Sequence, residues 1–218
     1  MPMRNKGYKP TKPRIAFVVD GESETWYLQM LKKNEHLAVD LKPEIPQKKK
    51  LKDQFDRVKE LAENYTFVYW IVDFDKILEE TLAAKKGKIT RMEELRQYCT
   101  EIKRKSKKYN NVEIIINNPC QEYWFLLHFE NKAPLYSKCN DTITHLKKHL
   151  KDFEKTEKYF KKTNDDIYLK LKPNLTNAIS HAKSLPAFDF TNPNNTLSEM
   201  HKIFEHELLR VCLVNDTK

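Results

Sequence analysis

Three short apolar runs, rich in β-branched and aromatic residues, constrain the fold more than any other feature of the sequence. They are RIAFVVD at residues 14–20, TFVYWIVD at 66–73 and NVEIIIN at 111–117. Because successive positions are apolar, both faces of each run are apolar, as in the strands of a covered parallel sheet. A fourth run at residues 38–45 contains Pro43, which places that strand at an edge of the sheet.

Stretches with helical periodicity separate these runs. Helices are predicted over residues 22–33 and 90–108, and another begins at Pro119, a residue favoured at the first helical position. The clearest amphipathic helix has apolar residues spaced three or four apart, at Leu51, Phe55, Val58, Leu61 and Tyr65. Strands that alternate with helices predict an α/β fold with a parallel sheet flanked by helices on both faces.

The strand pattern stops after residue 131. Residues 141–162, 173–184 and 197–213 all have helical patterns. We therefore predict a flexible N-terminal segment over residues 1–13, an α/β domain over 14–131 and a helical C-terminal subdomain over 132–218.

Charge and hydrophobicity limit the classes of partner. The chain has 218 residues, with 40 Lys or Arg and 31 Asp or Glu, so its formal net charge is +9. The basic residues are mostly Lys and are spread along the chain, which is typical of a solvated surface and also permits attraction to nucleic acid. No apolar run approaches the roughly 20 residues of a membrane helix, and the N-terminus lacks the apolar segment of a secretory signal. We expect a soluble, cytoplasmic protein with no membrane partner.

Cysteine and histidine spacing gives no strong metal motif. His145 and His149 are four residues apart on a predicted helix, but no acidic or cysteine partner lies at ligand spacing beside them, so a solvated helix face is predicted. The four cysteines form no C-x-x-C pair, and neither a zinc ribbon nor a disulfide framework is expected for Cys99, Cys120, Cys139 and Cys212.

Acidic side chains follow each of the three strong strands. Asp20, Glu22 and Glu24 follow the first strand, and Asp73 and Asp75 follow the second. Glu122 follows the last strand, after Asn118. Since the carboxyl ends of parallel strands meet at one edge of a sheet, where ligands bind, we expect these carboxylates to converge. Gly21, one of three glycines in the chain, stands at the first strand-to-helix turn, where a ligand can approach the backbone closely.

Each of these signals also has an ordinary structural interpretation. Asp73 and Asp75 are typical of helix N-caps, and acidic residues after Gly21 complement a helix dipole. Several carboxylates at one place repel one another unless a cation neutralises them, and oxygen ligands select Mg²⁺ or Mn²⁺. His128, on the apolar helix after Glu122, is better interpreted as a core histidine than as a catalytic one.

Other nucleotide and hydrolase motifs are missing. Residues 21–25 (GESET) mimic a nucleophile elbow, but Thr25 replaces the second glycine and acids flank Ser23 where an oxyanion hole is needed. The sequence contains neither a P-loop nor a G-x-G-x-x-G fingerprint.

Three blocks resemble the RloB family, whose members occur at bacterial restriction and phage-defence loci. The blocks are DGESETWY at residues 20–27, VDFD at 72–75 and NNPCQEYWFLLHF at 117–129, and similar stretches follow at 158–162, 178–185 and 192–196. The resemblance covers nearly the whole chain, and its 118–129 block is the most specific part. It implies that the N-terminal part is Toprim-like.

The Toprim resemblance implies a site that holds Mg²⁺ or Mn²⁺ and handles phosphodiesters. Asp73 and Asp75 would hold the ion, with Asp20 or Glu22 completing its ligands or moving a proton, and Glu122 would be a ligand or would orient one. Glu24 is a further family-like acid. The family usually has Glu where this chain has Asp20, one methylene shorter, and a shift of ~1 Å can slow catalysis by about 10²-fold.

Two functional hypotheses follow from the resemblance. The first is a metal-dependent endonuclease that cuts RNA, such as tRNA, or DNA as an effector of anti-phage defence. The second is a catalytically degenerate, Toprim-like binding module that acts with other proteins in a defence complex.

Overall fold

The computed structural model describes residues 13–19, 21–35, 40–44, 50–131, 135–136 and 138–210. Asp20 and Cys212 lie outside these ranges, as does the predicted flexible segment apart from its last residue, Pro13. Within the described ranges, no helix is both long enough and apolar enough to span a membrane.

A five-stranded sheet forms the centre of the molecule. Its strands are β1 (Arg14–Val18), β2 (Asp40–Glu44), β3 (Phe67–Asp73), β4 (Val112–Asn118) and β5 (Leu197–Ser198), in the spatial order β2-β1-β3-β4-β5. The first four are parallel, and β5 pairs antiparallel with β4. The predicted α/β fold class is therefore confirmed, as is the edge position of the strand that contains Pro43.

Ten α-helices and one 3₁₀ turn occur in the described ranges. They are α1 (Glu22–Glu35), α2 (Leu51–Asn64), α3 (Asp75–Leu82), α4 (Arg91–Arg104), α5 (Gln121–Leu126), α6 (Cys139–Leu146), α7 (Glu157–Phe160), α8 (Ile167–Leu171), the 3₁₀ turn Lys172–Asn174, α9 (Leu175–Lys183) and α10 (His201–Glu205).

Alternate side chains of the strands enter two different hydrophobic layers. Phe17 and Tyr69 pack in a first layer with α1, α5 and the C-terminal helices, whereas Val18 and Trp70 pack in a second layer with α2 and α4. Both faces of the sheet are thus covered, which explains why its strands read as continuous apolar runs. Helix α1 lies on one face and α2 and α4 on the other, as right-handed crossovers require when the strand order reverses.

The C-terminal part departs from its predicted helices in two places. Residues 141–162 form α6 and α7 with turns between them, because Thr156 caps a new helix by accepting a hydrogen bond from the Tyr159 N–H. Residues 197–213 begin with strand β5, whose Ser198 hydroxyl donates to Asn117 Oδ1 at 2.7 Å. A two-residue strand has no period that a sequence could display. The boundary at residues 131 and 132 stays a prediction.

The sequence predicted Pro119 as the first residue of a helix, and this prediction is wrong. Helix α5 begins at Gln121, and the Pro119 carbonyl accepts hydrogen bonds of 3.0 Å from the N–H groups of Phe74 and Asp75. The peptide bond between Asn118 and Pro119 is cis. These contacts tie the end of β4 to the turn after β3, where helix α3, which the sequence did not reveal, begins.

Candidate functional site

A cleft of about 470 Å³ lies at the carboxyl ends of the parallel strands. Strand β2 lies on one side of β1, and the chain then crosses back to form β3 on the other side of β1. The strand order therefore reverses between β1 and β3, which is where open α/β sheets bind ligands. Gly21 and Glu24 line the cleft after β1, and Asp73 and Asp75 line it after β3.

The turn after β1 brings Glu24 rather than Glu22 to the cleft. The Glu24 side chain is buried and folds back over Gly21, so that a Cβ atom at residue 21 would collide with Glu24 Oε2. The Ser23 hydroxyl donates to the same oxygen at 3.4 Å. Glu22 is exposed and does not line the cleft. A side chain at residue 21 would therefore displace the Glu24 carboxylate from its position over the Gly21 backbone.

The turn after β3 presents two half-buried carboxylates. Asp73 is the last residue of β3 and accepts a hydrogen bond of 3.2 Å from Asn117 Nδ2 on the neighbouring strand. Asp75 is the first residue of α3, and its Oδ1 accepts from the Lys76 N–H at 2.7 Å. The N-cap of α3 is Phe74, so the interpretation of Asp73 as an N-cap is wrong.

Glu122 is held behind the cleft by a lysine. Its side chain is completely buried, and Oε1 lies 2.8 Å from Lys155 Nζ, which does line the cleft. Burial alone would lower the pKa of Lys155. The charge of Glu122 and its hydrogen bond outweigh this effect, with help from the charges of Glu24 and Asp73, so the pKa of Lys155 is raised. Lys155 is therefore a fixed cation among acidic groups.

A disulfide joins two sides of this cleft, contrary to the expectation from cysteine spacing. Cys120, just before α5, is bonded to Cys139, the first residue of α6, with Cα atoms 5.6 Å apart. The two residues are 19 positions apart in the sequence, and their contact arises only when α6 packs against α5. Cys99 is free and buried, and this burial raises the pKa of its thiol to about 12.

The donor atoms of the cleft fit a hard cation in part. Mg²⁺ is commonly held by one or two carboxylates, with water and substrate phosphate completing its coordination. Asp73 and Asp75 provide such a pair. Across the described ranges, only one group of three ligand atoms lies within 4.8 Å of one another, and its members are Cys120, Glu122 and Cys139. Asp20, which the resemblance makes a third oxygen ligand, lies outside the described residues.

Asn118 and His128, two further candidates from the sequence, do not line the cleft. Asn118 donates to the carbonyls of Pro193 and Asn195 at 2.7 and 2.9 Å and so anchors the loop that precedes β5. His128 is buried in the first hydrophobic layer, where its Nδ1 lies 2.9 Å from the Trp124 carbonyl oxygen. Burial lowers the pKa of His128 to about 4, so it is neutral at physiological pH.

His145 and His149 have no acidic neighbour at ligand spacing in the sequence, but the structure gives them an acidic partner from a distant segment. Glu130 Oε1 lies 2.7 Å from His149 Nε2 and 3.4 Å from His145 Nε2, and the Tyr136 hydroxyl contacts the other nitrogen of His145. Glu130 lies in the chain that follows α5, 19 positions before His149, and this separation along the chain hid the contact.

Two groups of the site were not found from the sequence. Lys155 is one of 33 lysines, and nothing in its local pattern distinguishes it from the solvated ones. Arg91 also lines the cleft, but its guanidinium is paired with Glu80 and Glu94 at 2.6 and 2.7 Å.

A family model gives the relationship of the chain to known proteins. The model of the RloB-like protein family matches residues 15–206, which includes the cleft and all the elements around it. Comparisons with curated proteins and with solved structures found no significant match. Since the family model spans most of the chain, the protein belongs to the RloB-like family.

Proposed function

We propose that the protein is a magnesium-dependent nuclease of the Toprim type. The observation that carries the proposal is the cleft at the reversal of strand order, where carboxylates from two adjacent strand ends face a fixed lysine. Its acids suit a divalent cation and its lysine suits a phosphate, and both are needed at a phosphodiester. The resemblance to Toprim sequences supports the same reaction class.

Asp73 and Asp75 are the residues that we assign to the metal. Both line the cleft, and the second carboxylate oxygen of Asp75 remains for a ligand while Oδ1 accepts from the Lys76 N–H. A bound Mg²⁺ would polarise the phosphate and lower the pKa of an attacking water. The resemblance adds Asp20 to this set. Mn²⁺ has similar oxygen preferences and is expected to substitute.

We assign proton acceptance to Glu24 and contact with the substrate phosphate to Lys155. Glu24 is the acid of the first helical turn that faces the cleft, so we assign proton acceptance to it instead of Glu22. Lys155 would contact a phosphate oxygen with its ammonium group, which Glu122 holds in place at 2.8 Å. In this proposal Glu122 is a positioning residue and does not touch the substrate.

Nucleic acid is the proposed substrate, either RNA such as tRNA or DNA. The formal net charge of +9 favours association with a polyanion, and such binding weakens steeply as salt rises. The resemblance to proteins of defence loci supports a role as a cytoplasmic effector against phage, acting with other defence proteins.

The decisive experiment is induction of the protein in bacteria, followed by sequencing of the 5′ and 3′ ends of cellular RNA and DNA. New ends that appear with the wild type and not with Asp73→Asn would establish both reaction and target. Glu63→Gln is the matched control, because Glu63 is an exposed acid near the start of β3, at the opposite edge of the sheet.

A binding module without catalysis is the second candidate, and one observation favours it. Glu122 is neutralised by Lys155 and buried, so the acid expected from the last of the three strand ends is withdrawn from the cleft. Nucleic-acid binding by the purified protein, with no new ends in the cell and none with Mg²⁺ or Mn²⁺ in vitro, would support this candidate and overturn the nuclease.

A further inference from the structure

The disulfide joins two residues that line the cleft and belong to different elements. Cys120 is buried and directly follows Pro119, whose carbonyl holds the turn that carries Asp75. Cys139 begins α6, and Asn140 and Ile143 of the same helix also line the cleft. The state of this one bond therefore determines whether the start of α6 is covalently fixed to the strand ends.

The surroundings of Cys139 favour a thiol as well as a disulfide. Its Sγ lies 3.0 Å from Oε2 of Glu122, whose carboxylate is completely buried. A thiol can donate a hydrogen bond to that oxygen, whereas a disulfide sulfur carries no proton. Among the described residues, Cys139 is the hydrogen-bond partner of Oε2, so oxidation leaves this oxygen without its donor. Buried acceptors without donors are costly, and this cost favours reduction.

We propose that Cys120 and Cys139 are a reversible redox pair that reacts with small-molecule thiols such as glutathione. In the disulfide form α6 is fixed against the β4–α5 turn, and in the dithiol form the start of α6 is released. The Cα separation of 5.6 Å suits a disulfide without backbone movement, so the pair can re-form in place. This inference goes beyond the proposed nuclease and does not depend on it.

The accessible sulfur fixes the order of the exchange. Both cysteines line the cleft, but Cys120 is only 1% exposed, whereas Cys139 is half-buried. A thiolate therefore attacks Cys139 Sγ, a mixed disulfide forms, and Cys120 leaves as a thiolate. A second thiolate then attacks the sulfur of the small molecule, which releases the oxidised small-molecule disulfide and the Cys139 thiolate. Two electrons pass from the two small thiols to the protein disulfide.

The first test is a redox titration of the full chain in glutathione buffers, with acid quenching, alkylation and mass spectrometry of the thiols. We expect Cys120 and Cys139 to convert together, and the Cys99→Ala/Cys212→Ser variant to give the same midpoint. Glu122→Met/Lys155→Met removes the acceptor without leaving an unpaired ammonium. It should shift the equilibrium toward the disulfide by about tenfold or more.

The second test is hydrogen exchange of the oxidised and reduced protein. Amides in the first turn of α6 should exchange several-fold faster after reduction, whereas those of β3 should not change. Two thiols that stay reduced in excess oxidised glutathione, or equal exchange in both states, would overturn the proposal. Stoichiometric Zn²⁺ binding by the reduced protein, lost in Cys139→Ser, would replace it with a metal site. Neither test includes Mg²⁺ or nucleic acid, so a failed nuclease assay leaves the redox pair standing.

Discussion

The β3–α3 turn and the β4–α5 turn follow adjacent strands of one sheet, yet their acidic side chains have different surroundings. Asp73 and Asp75 are half-buried and line the cleft, whereas Glu122 is completely buried against Lys155 and Cys139. Strand ends thus deliver acids to a common edge, but the phase of the next helix and its packing decide which of them can reach a ligand. We infer that the acids of the β3–α3 turn take part in the reaction, whereas Glu122 of the β4–α5 turn positions another residue.

The largest difference between the turns should appear in catalysis. Asp73→Asn removes a full charge from the proposed metal ligands, which supply several kcal/mol of stabilisation, so the Mg²⁺-dependent cleavage rate should fall by about 10³-fold or more. Rates are measured with the nucleic acid that end sequencing identifies. Glu22→Gln should change the rate by less than about twofold, because Glu22 is exposed outside the cleft. A large loss in Glu22→Gln with none in Asp73→Asn would reverse the assignment of these acids.

The second difference concerns the segment after Glu122, which is packed for stability. Burial lowers the pKa of His128 to about 4 in the folded protein, against about 6.5 in an unfolded chain. Between these values the unfolded chain binds a proton that the folded protein does not. The free energy of unfolding should therefore fall as the pH drops from about 6.5 to about 4, with about 3 kcal/mol lost to His128.

Urea unfolding at several pH values between 7 and 4.5 measures this loss. His128→Gln should lose less stability over the same interval than the wild type. His201 and His206, whose pKa values burial also lowers, are present in both proteins, so the difference isolates His128. Parallel pH profiles would show that His128 is not neutral and buried in the folded state.

The ion pair behind the cleft should contribute a smaller amount. Lys155→Met leaves Glu122 buried without its cation, and we expect the free energy of unfolding to fall by about 1–3 kcal/mol. The estimate lies below that for fully buried pairs because the Lys155 side chain is 41% exposed. Glu122→Met/Lys155→Met should recover most of the loss. Lys151→Met, at an exposed position, is the control and should remain within about 0.5 kcal/mol of wild type.

The two turns also differ in how far the sequence predicted them. Asp73 ends an apolar run that is covered on both faces, so the strand, its end and its edge of the sheet follow from local pattern alone. The burial of Glu122 depends on Lys155, 33 residues further on, and on Cys139 in another helix. These contacts exist only after the C-terminal helices pack on the sheet, and one lysine among many carries no local signal of them.

The same limit explains what was missed in the fold. The long strands could be predicted because they are continuous apolar runs, and α2 because its apolar residues recur over several helical turns. Strand β5 has two residues, and Pro119 is drawn into the β3–α3 turn by hydrogen bonds from Phe74 and Asp75. Such features are determined by partners distant in the chain, which no local window of sequence contains.

The smallest expected effect concerns the β3–α3 turn in the protein without metal. Asp75→Asn removes one of the carboxylates that share the cleft, and the relief of repulsion should raise the Tm in EDTA by about 1–2 °C, or about 0.5 kcal/mol. The Asn carbonyl can still accept from the Lys76 N–H, so the start of α3 keeps its hydrogen bond. Asp141→Asn is the matched control, because Asp141 is an exposed acid in the first turn of α6, outside the cleft. There the lost interaction with the helix dipole should lower the Tm slightly. A lower Tm in both variants would mean that Asp75 serves the helix terminus alone, and the distinction between the two turns would lose its electrostatic basis.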